Sequence, residues 1–99
     1  GRPTWARNVA EAIIELIGVR AGGVMHVADA GEATWLDLAR ETFLVQGIEV
    51  DTAGVSTLDW AADAPRPLYS VLDLDVTEGV LGRGMTDWRE ALRAFLKSL

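Results

Sequence analysis

Apolar residues fall at helical spacing in three stretches of this chain, and a glycine closes each of the first two. That punctuation confines the fold to short segments. Trp5, Val9, Ile13, Leu16 and Ile17 predict a helix over residues 5–17, with Pro3-Thr4 leading in, Thr4 as N-cap and Gly18 as the stop. Gly22-Gly23 reads as a turn, and the alternation over residues 24–28 predicts a short strand, with Val24, His26 and Ala28 on one side and Met25 and Val27 on the other. Asp29-Ala30-Gly31 then reads as a loop. A second helix is expected over residues 35–45, opened by a Thr34–Asp37 capping box, striped by Trp35, Leu38, Ala39 and Phe43, and stopped by Gly47.

Residues 48–51 predict a second short strand. Strand, helix, strand in this order implies a right-handed crossover and parallel pairing. Ser56-Thr57 is expected to cap a single turn through Trp60, and Ala64-Pro65-Arg66-Pro67 to be extended, because proline disfavours helix in the residue before it. Residues 68–74 read as extended, and a short helix over residues 76–81 closes at Gly82 and Gly84. The clearest pattern is the last: Thr86 as cap, then Trp88, Ala91, Leu92, Phe95, Leu96 and Leu99 on one face. The fold class expected is α/β, a small αβαβ-α-α unit with one short parallel strand pair. Three of the four tryptophans open or line helices and are expected in the core.

With 99 residues this is the size of one small domain. It holds no cysteine, hence no disulfide, thiolate nucleophile or cysteine metal site, which fits a reducing compartment. No apolar run approaches the roughly 18 residues of a membrane span. The chain opens on Gly1 and enters an amphipathic segment almost at once, which reads as a piece of a longer protein. The net charge of −6 argues against nucleic acid or an anionic membrane as partner. All of that excess lies between Glu32 and Asp63, read as a solvated acidic face. A pyrophosphate would avoid this face and prefer the neutral remainder, where Arg2, Arg7, Arg66 and Arg83 lie.

Catalytic chemistry is hard to find. The only approach to a dinucleotide-binding glycine turn is Gly82-Arg83-Gly84-Met85-Thr86-Asp87; its last position is Asp and no good strand precedes it. The only tyrosine, Tyr69, has Asp73 where a proton-transfer dyad would need lysine, and the only lysine is Lys97. His26 stands alone, without a nucleophile motif or metal-ligand cluster, and reads as structural. The carboxylate pairs Asp59/Asp63 and Asp73/Asp75 share faces of a helix and a strand, and read as solvated groups or caps.

Four segments nevertheless point to a family. Gly1-Arg2-Pro3-Thr4-Trp5-Ala6-Arg7-Asn8-Val9-Ala10 resembles the "G-x-P-T-x-A-x-D-L-A" stretch of dTDP-4-dehydrorhamnose reductases, with Asn8 where Asp is usual. Val24-Met25-His26-Val27, Gly31 and Thr34-Trp35-Leu36-Asp37-Leu38-Ala39 resemble their "Y-H-V…G…S-W-x-E-F-A", with Met25 in place of an aromatic. Arg66-Pro67-Leu68-Tyr69-Ser70-Val71-Leu72-Asp73 is similar to "R-P-x-x-S-x-L-D", though Asp75-Val76-Thr77 follows instead of the customary Lys-Leu. Trp88-Arg89-Glu90-Ala91-Leu92 is similar to "W-x-E-A-L".

The resemblance implies that residues 1–99 are the C-terminal substrate-binding part of a Rossmann-type extended short-chain reductase. The glycine turn and Tyr-Lys dyad would then lie in an N-terminal cofactor-binding domain absent from this chain. It implies a parent that reduces the 4-keto group of a dTDP-deoxysugar (dTDP-4-dehydrorhamnose to dTDP-rhamnose) with NADPH or NADH bound outside this chain, in the cytoplasm. Pro3, Thr4, Trp5, Arg66 and Pro67 would lie nearest the substrate. Arg66 would meet phosphate or a sugar hydroxyl, or else tie down a structural corner. A homodimer through surface that the missing half would cover is a further expectation. The competing reading is a non-catalytic interaction or regulatory module of the same family, docking through the acidic face.

Overall fold

The computed structural model describes residues 1–49 and 69–99. Within them lie four helices: α1 (Ala6–Gly18), α2 (Trp35–Gln46), α3 (Asp75–Leu81) and α4 (Trp88–Lys97). α1 packs on α3, and α2 on α4. Ala12 of α1 meets Ala28, Leu74 and Met85 at the centre, with Val27, Ala30 and Leu81 packed around them. Trp88 and Ala91 bury the inner face of α4.

Local chemistry explains the helix ends. At α2 the Thr34 hydroxyl accepts from the Asp37 amide at 3.1 Å and the Asp37 carboxylate accepts from the Thr34 amide at 2.9 Å, so the expected capping box forms. Those bonds favour the ionised carboxylate and hold the Asp37 pKa below its usual range. Gly47 and Gly82 end α2 and α3 in the left-handed region, where glycine carries no Cβ penalty.

Two expected caps shift. Thr4 does not cap α1: Trp5 holds that position with no side-chain bond of its own. Asp87 rather than Thr86 caps α4, accepting from the Arg89 amide at 3.0 Å, because its carboxylate reaches the second helical amide. At α3 the N-cap position is Leu74, without a side-chain bond, and Asp73 just before it accepts from the Asp75 amide at 2.9 Å.

The expected strand over 24–28 is not formed. Among the described residues the β interaction is one isolated parallel bridge between Ala30 and Asp87, with Ala30 donating to Thr86 and Trp88 donating to Ala30. A strand needs a partner to persist, and the proposed partner at 48–51 runs out of the described residues; the 48–49 portion is not a strand. The described fold is therefore helical. Before that bridge the 24–29 segment is held by side chains: the buried Thr77 hydroxyl donates to the His26 carbonyl at 2.6 Å.

Two tryptophans depart from one another. Trp88 is 1% exposed, as expected, whereas Trp35 is 86% exposed. Trp35 stands at the first position of α2, one turn before the half-buried Leu38, Ala39 and Phe43. Leu99 likewise stands outside the buried face, beyond the end of α4. Trp60, the Asp59/Asp63 pair, the turn at 56–60 and the 64–67 segment lie outside the described residues.

Candidate functional site

Three of the residues expected near substrate, Pro3, Thr4 and Trp5, lead directly into α1, and a side chain remote in sequence anchors them. Asp29 is fully buried. Its carboxylate accepts from the Trp5 amide at 2.9 Å and from the Asn8 side-chain amide at 3.0 Å. Its own amide donates to the Thr4 hydroxyl at 3.1 Å, and that hydroxyl donates to the Arg2 carbonyl at 2.8 Å. A carboxylate at a helix N-terminus answers unpaired amides and the positive end of the dipole. The Trp5 ring lies edge-on to Phe95 at 6.2 Å, with the Arg7 guanidinium 5.5 Å from its centroid.

Burial pushes the Asp29 carboxyl above its usual pKa, and the bonds from Trp5 and Asn8 pull it back only in part. A folded pKa above the unfolded one means the native state holds the proton more tightly. Stability from this group is therefore fullest at low pH and falls as pH rises through the folded value. Asn8→Asp would replace the 3.0 Å donor with a second carboxylate. We expect it to cost about 1–3 kcal/mol at pH 7 and to recover on acidification. Urea unfolding at pH 7 and near pH 4 checks this; equal losses at both would contradict it.

Three arginines of the neutral remainder already have intramolecular roles. Arg2 donates to the Leu72 and Gly31 carbonyls, both at 2.7 Å, so it braces two loops. Arg7 pairs with Glu11 at 3.2 Å. Arg83 pairs with Glu15, which holds the Glu15 carboxyl below its usual range and the guanidinium above its own. Arg66 and Pro67 lie outside the described residues. A cleft of about 380 Å³ opens between α1, at Asn8, Glu11 and Glu15, and the turn at Arg83, Gly84 and Met85. Its acids outnumber its one arginine, so it does not suit a diphosphate.

The turn over residues 82–87 does not fit a dinucleotide. The Glu78 carboxylate accepts from the Met85 amide at 2.6 Å, placing an anion where a pyrophosphate would need an open N–H. Tyr69 donates to Glu32 at 2.8 Å, which raises the phenol pKa, the opposite of what an acid–base tyrosine needs. Among the described residues no group of three His, Cys, Asp or Glu could hold a metal ion.

Asp29 and Asn8 are the residues that sequence reasoning missed. Asp29 stood in a loop signal, and nothing in local spacing marks a carboxylate that will be buried against a helix more than twenty residues earlier. At Asn8 the sequence signal is a departure from a family pattern, Asn in place of Asp.

A family model matches the chain from residue 1 to residue 99, and the class it defines is a substrate-binding domain. The chain belongs to the RmlD substrate binding domain family. It is 42% identical over 98 residues to a probable dTDP-4,6-dihydroxy-2-methyloxan-3-one 4-ketoreductase of Streptomyces antibioticus, covering 94% of this chain and 32% of that protein. It is 39% identical to a dTDP-4-keto-6-deoxy-D-glucose reductase of Streptomyces niveus, covering 92% of this chain and 28% of the relative. It is 34% identical to a dTDP-4-dehydrorhamnose reductase of Streptomyces griseus, covering 93% and 32%. The chain thus spans about a third of the length of the curated relatives it matches. No solved structure matches it. Among the described residues no helix is long and apolar enough to cross a membrane.

Proposed function

We propose that this chain is the nucleotide-sugar-binding part of a reductase that transfers a hydride from a nicotinamide cofactor to the 4-keto group of a dTDP-deoxysugar. The observation that carries the reading is the family match over the whole chain, with relatives named for reduction of dTDP-linked keto sugars. dTDP-4-dehydrorhamnose is the substrate we assign, with NADPH or NADH held by a separate, N-terminal part of the parent in the cytoplasm. The turn at residues 82–87, closed by Glu78, supports placing the dinucleotide elsewhere.

On this reading Pro3, Thr4 and Trp5, with Arg66 and Pro67, border the sugar. Asp29 and Asn8 fix where the 3–5 segment points, and the half-buried Trp5 ring offers an apolar wall beside the sugar. This part of the protein binds and orients substrate, and the proton and hydride come from groups outside it.

The test is a pair of assays. The full-length protein is expected to oxidise NADPH or NADH with a dTDP-4-keto-6-deoxysugar, and the 99-residue chain alone to oxidise neither. A full-length protein that binds dinucleotide but turns over no dTDP-sugar would refute the assignment.

A further inference from the structure

α1 carries two apolar stripes. Val9, Ala12 and Leu16 turn inward; Ala12 is fully buried and the other two half-buried. The second stripe is Ala10, Ile13, Ile14 and Ile17. Their offsets, i, i+3, i+4 and i+7, are those of a helix face that meets a core. Yet Ile13 is 46% exposed, Ile14 70% and Ile17 71%, and Ala10 is exposed as well. Scattered surface apolar residues need no explanation, but a full set at packing offsets marks a contact surface. The polar side of the helix is separate and already committed, through the Arg7–Glu11 and Glu15–Arg83 pairs.

We propose that this second stripe of α1 docks against the cofactor-binding part of the parent polypeptide. The inference rests on the reading that the chain is one part of a longer reductase, and on the relatives being about three times its length. A same-chain partner suits the stripe's size. A stable association between separate molecules covers roughly 800 Å² on each partner, more than an alanine and three isoleucines supply. A surface tethered on the same chain docks at high effective concentration and needs less area. A helix apolar on both sides is what the interior of a larger protein requires.

The experiment places Ile14→Glu and Ile17→Glu singly in the full-length protein and follows thermal unfolding at two protein concentrations, with sedimentation for oligomeric state. Docking predicts a fall in Tm on the order of 10 °C, equal at both concentrations, with oligomeric state unchanged. A shift within about 2 °C, the response of a solvent-exposed position, would overturn the proposal. So would a dimer-to-monomer change with a concentration-dependent Tm, which would assign the stripe to a second copy. If the glutamate variants yield no folded protein, Ile17→Ala carries the test: an unchanged Tm overturns docking and a clear fall supports it. Reductase activity of the unmodified full-length protein is scored separately. An inactive protein whose variants lose Tm sinks the proposed function and leaves the docking; an active one with indifferent variants does the reverse.

Discussion

Trp88→Ala is expected to remove about 3–5 kcal/mol of stability, a large share of a total that is of the order of 5–15 kcal/mol for a domain. Among the described residues Trp88 is the largest fully buried side chain. Its ring fills the space under Gly31, and the Arg89 guanidinium lies 4.6 Å from its centroid. The indole N–H is buried without a hydrogen-bond partner, so the residue contributes volume and apolar area rather than a polar link. That distinguishes two variants. Trp88→Phe gives up an N–H that makes no bond and keeps an aromatic ring in place, so it should cost only the smaller cavity it leaves, about 1–2 kcal/mol. Urea unfolding followed by circular dichroism measures both. A phenylalanine variant as damaged as the alanine one would show that the indole's full outline, or its N–H, matters more than the contacts indicate.

Gly31→Ala should follow closely, at about 2–5 kcal/mol, combining the strain of a left-handed residue with overpacking. Gly31 has a φ of 82°. A Cβ built there would stand 2.8 Å from both the Asp87 carboxylate and the Trp88 ring. Neither neighbour can yield cheaply, since Asp87 caps α4 and Trp88 is enclosed. Movement of Gly31 would also pull its carbonyl from Arg2. Gly47 supplies the control: its φ is 69°, but nothing lies within 4 Å of its Cβ position. Gly47→Ala therefore isolates the backbone strain, at about 1–2 kcal/mol. Equal losses at the two glycines would mean that the packing around Gly31 relaxes, and the steric argument would fail.

These two positions meet where α4 joins the 29–31 segment, the same place where Asp29 organises the lead into α1. A change at Gly31 or Trp88 should reach the Thr4 and Trp5 backbone through that segment. On the proposed function, changes at Gly31 or Trp88 that still leave the full-length protein folded are thus expected to weaken its substrate affinity, and Gly47→Ala to leave it unchanged.

What could be read from residues alone was whatever the chain settles within a few residues of itself. Helix spacing along α1, α2 and α4, the Thr34–Asp37 box and the stops at Gly47 and Gly82 all depend on bonds between near neighbours. Local rules therefore located them, and the four family-like segments pointed to the substrate-binding family that the chain matches. The failures share the opposite cause. A strand at 24–28 needed a partner that local alternation cannot supply. Trp35 and Trp88 open helices in the same way, and only the packing of α4 against the 29–31 segment buries one and leaves the other in solvent. Asp29 gained its place at the head of α1 because folding brings residues 5, 8 and 29 together. The spacing of Trp5, Val9, Ile13, Leu16 and Ile17 predicts the α1 helix without saying which side is covered; the tertiary structure turns Ala12 inward and leaves Ile14 and Ile17 facing out. Periodicity defines a face, but which surface meets that face is decided by contacts between segments far apart in sequence.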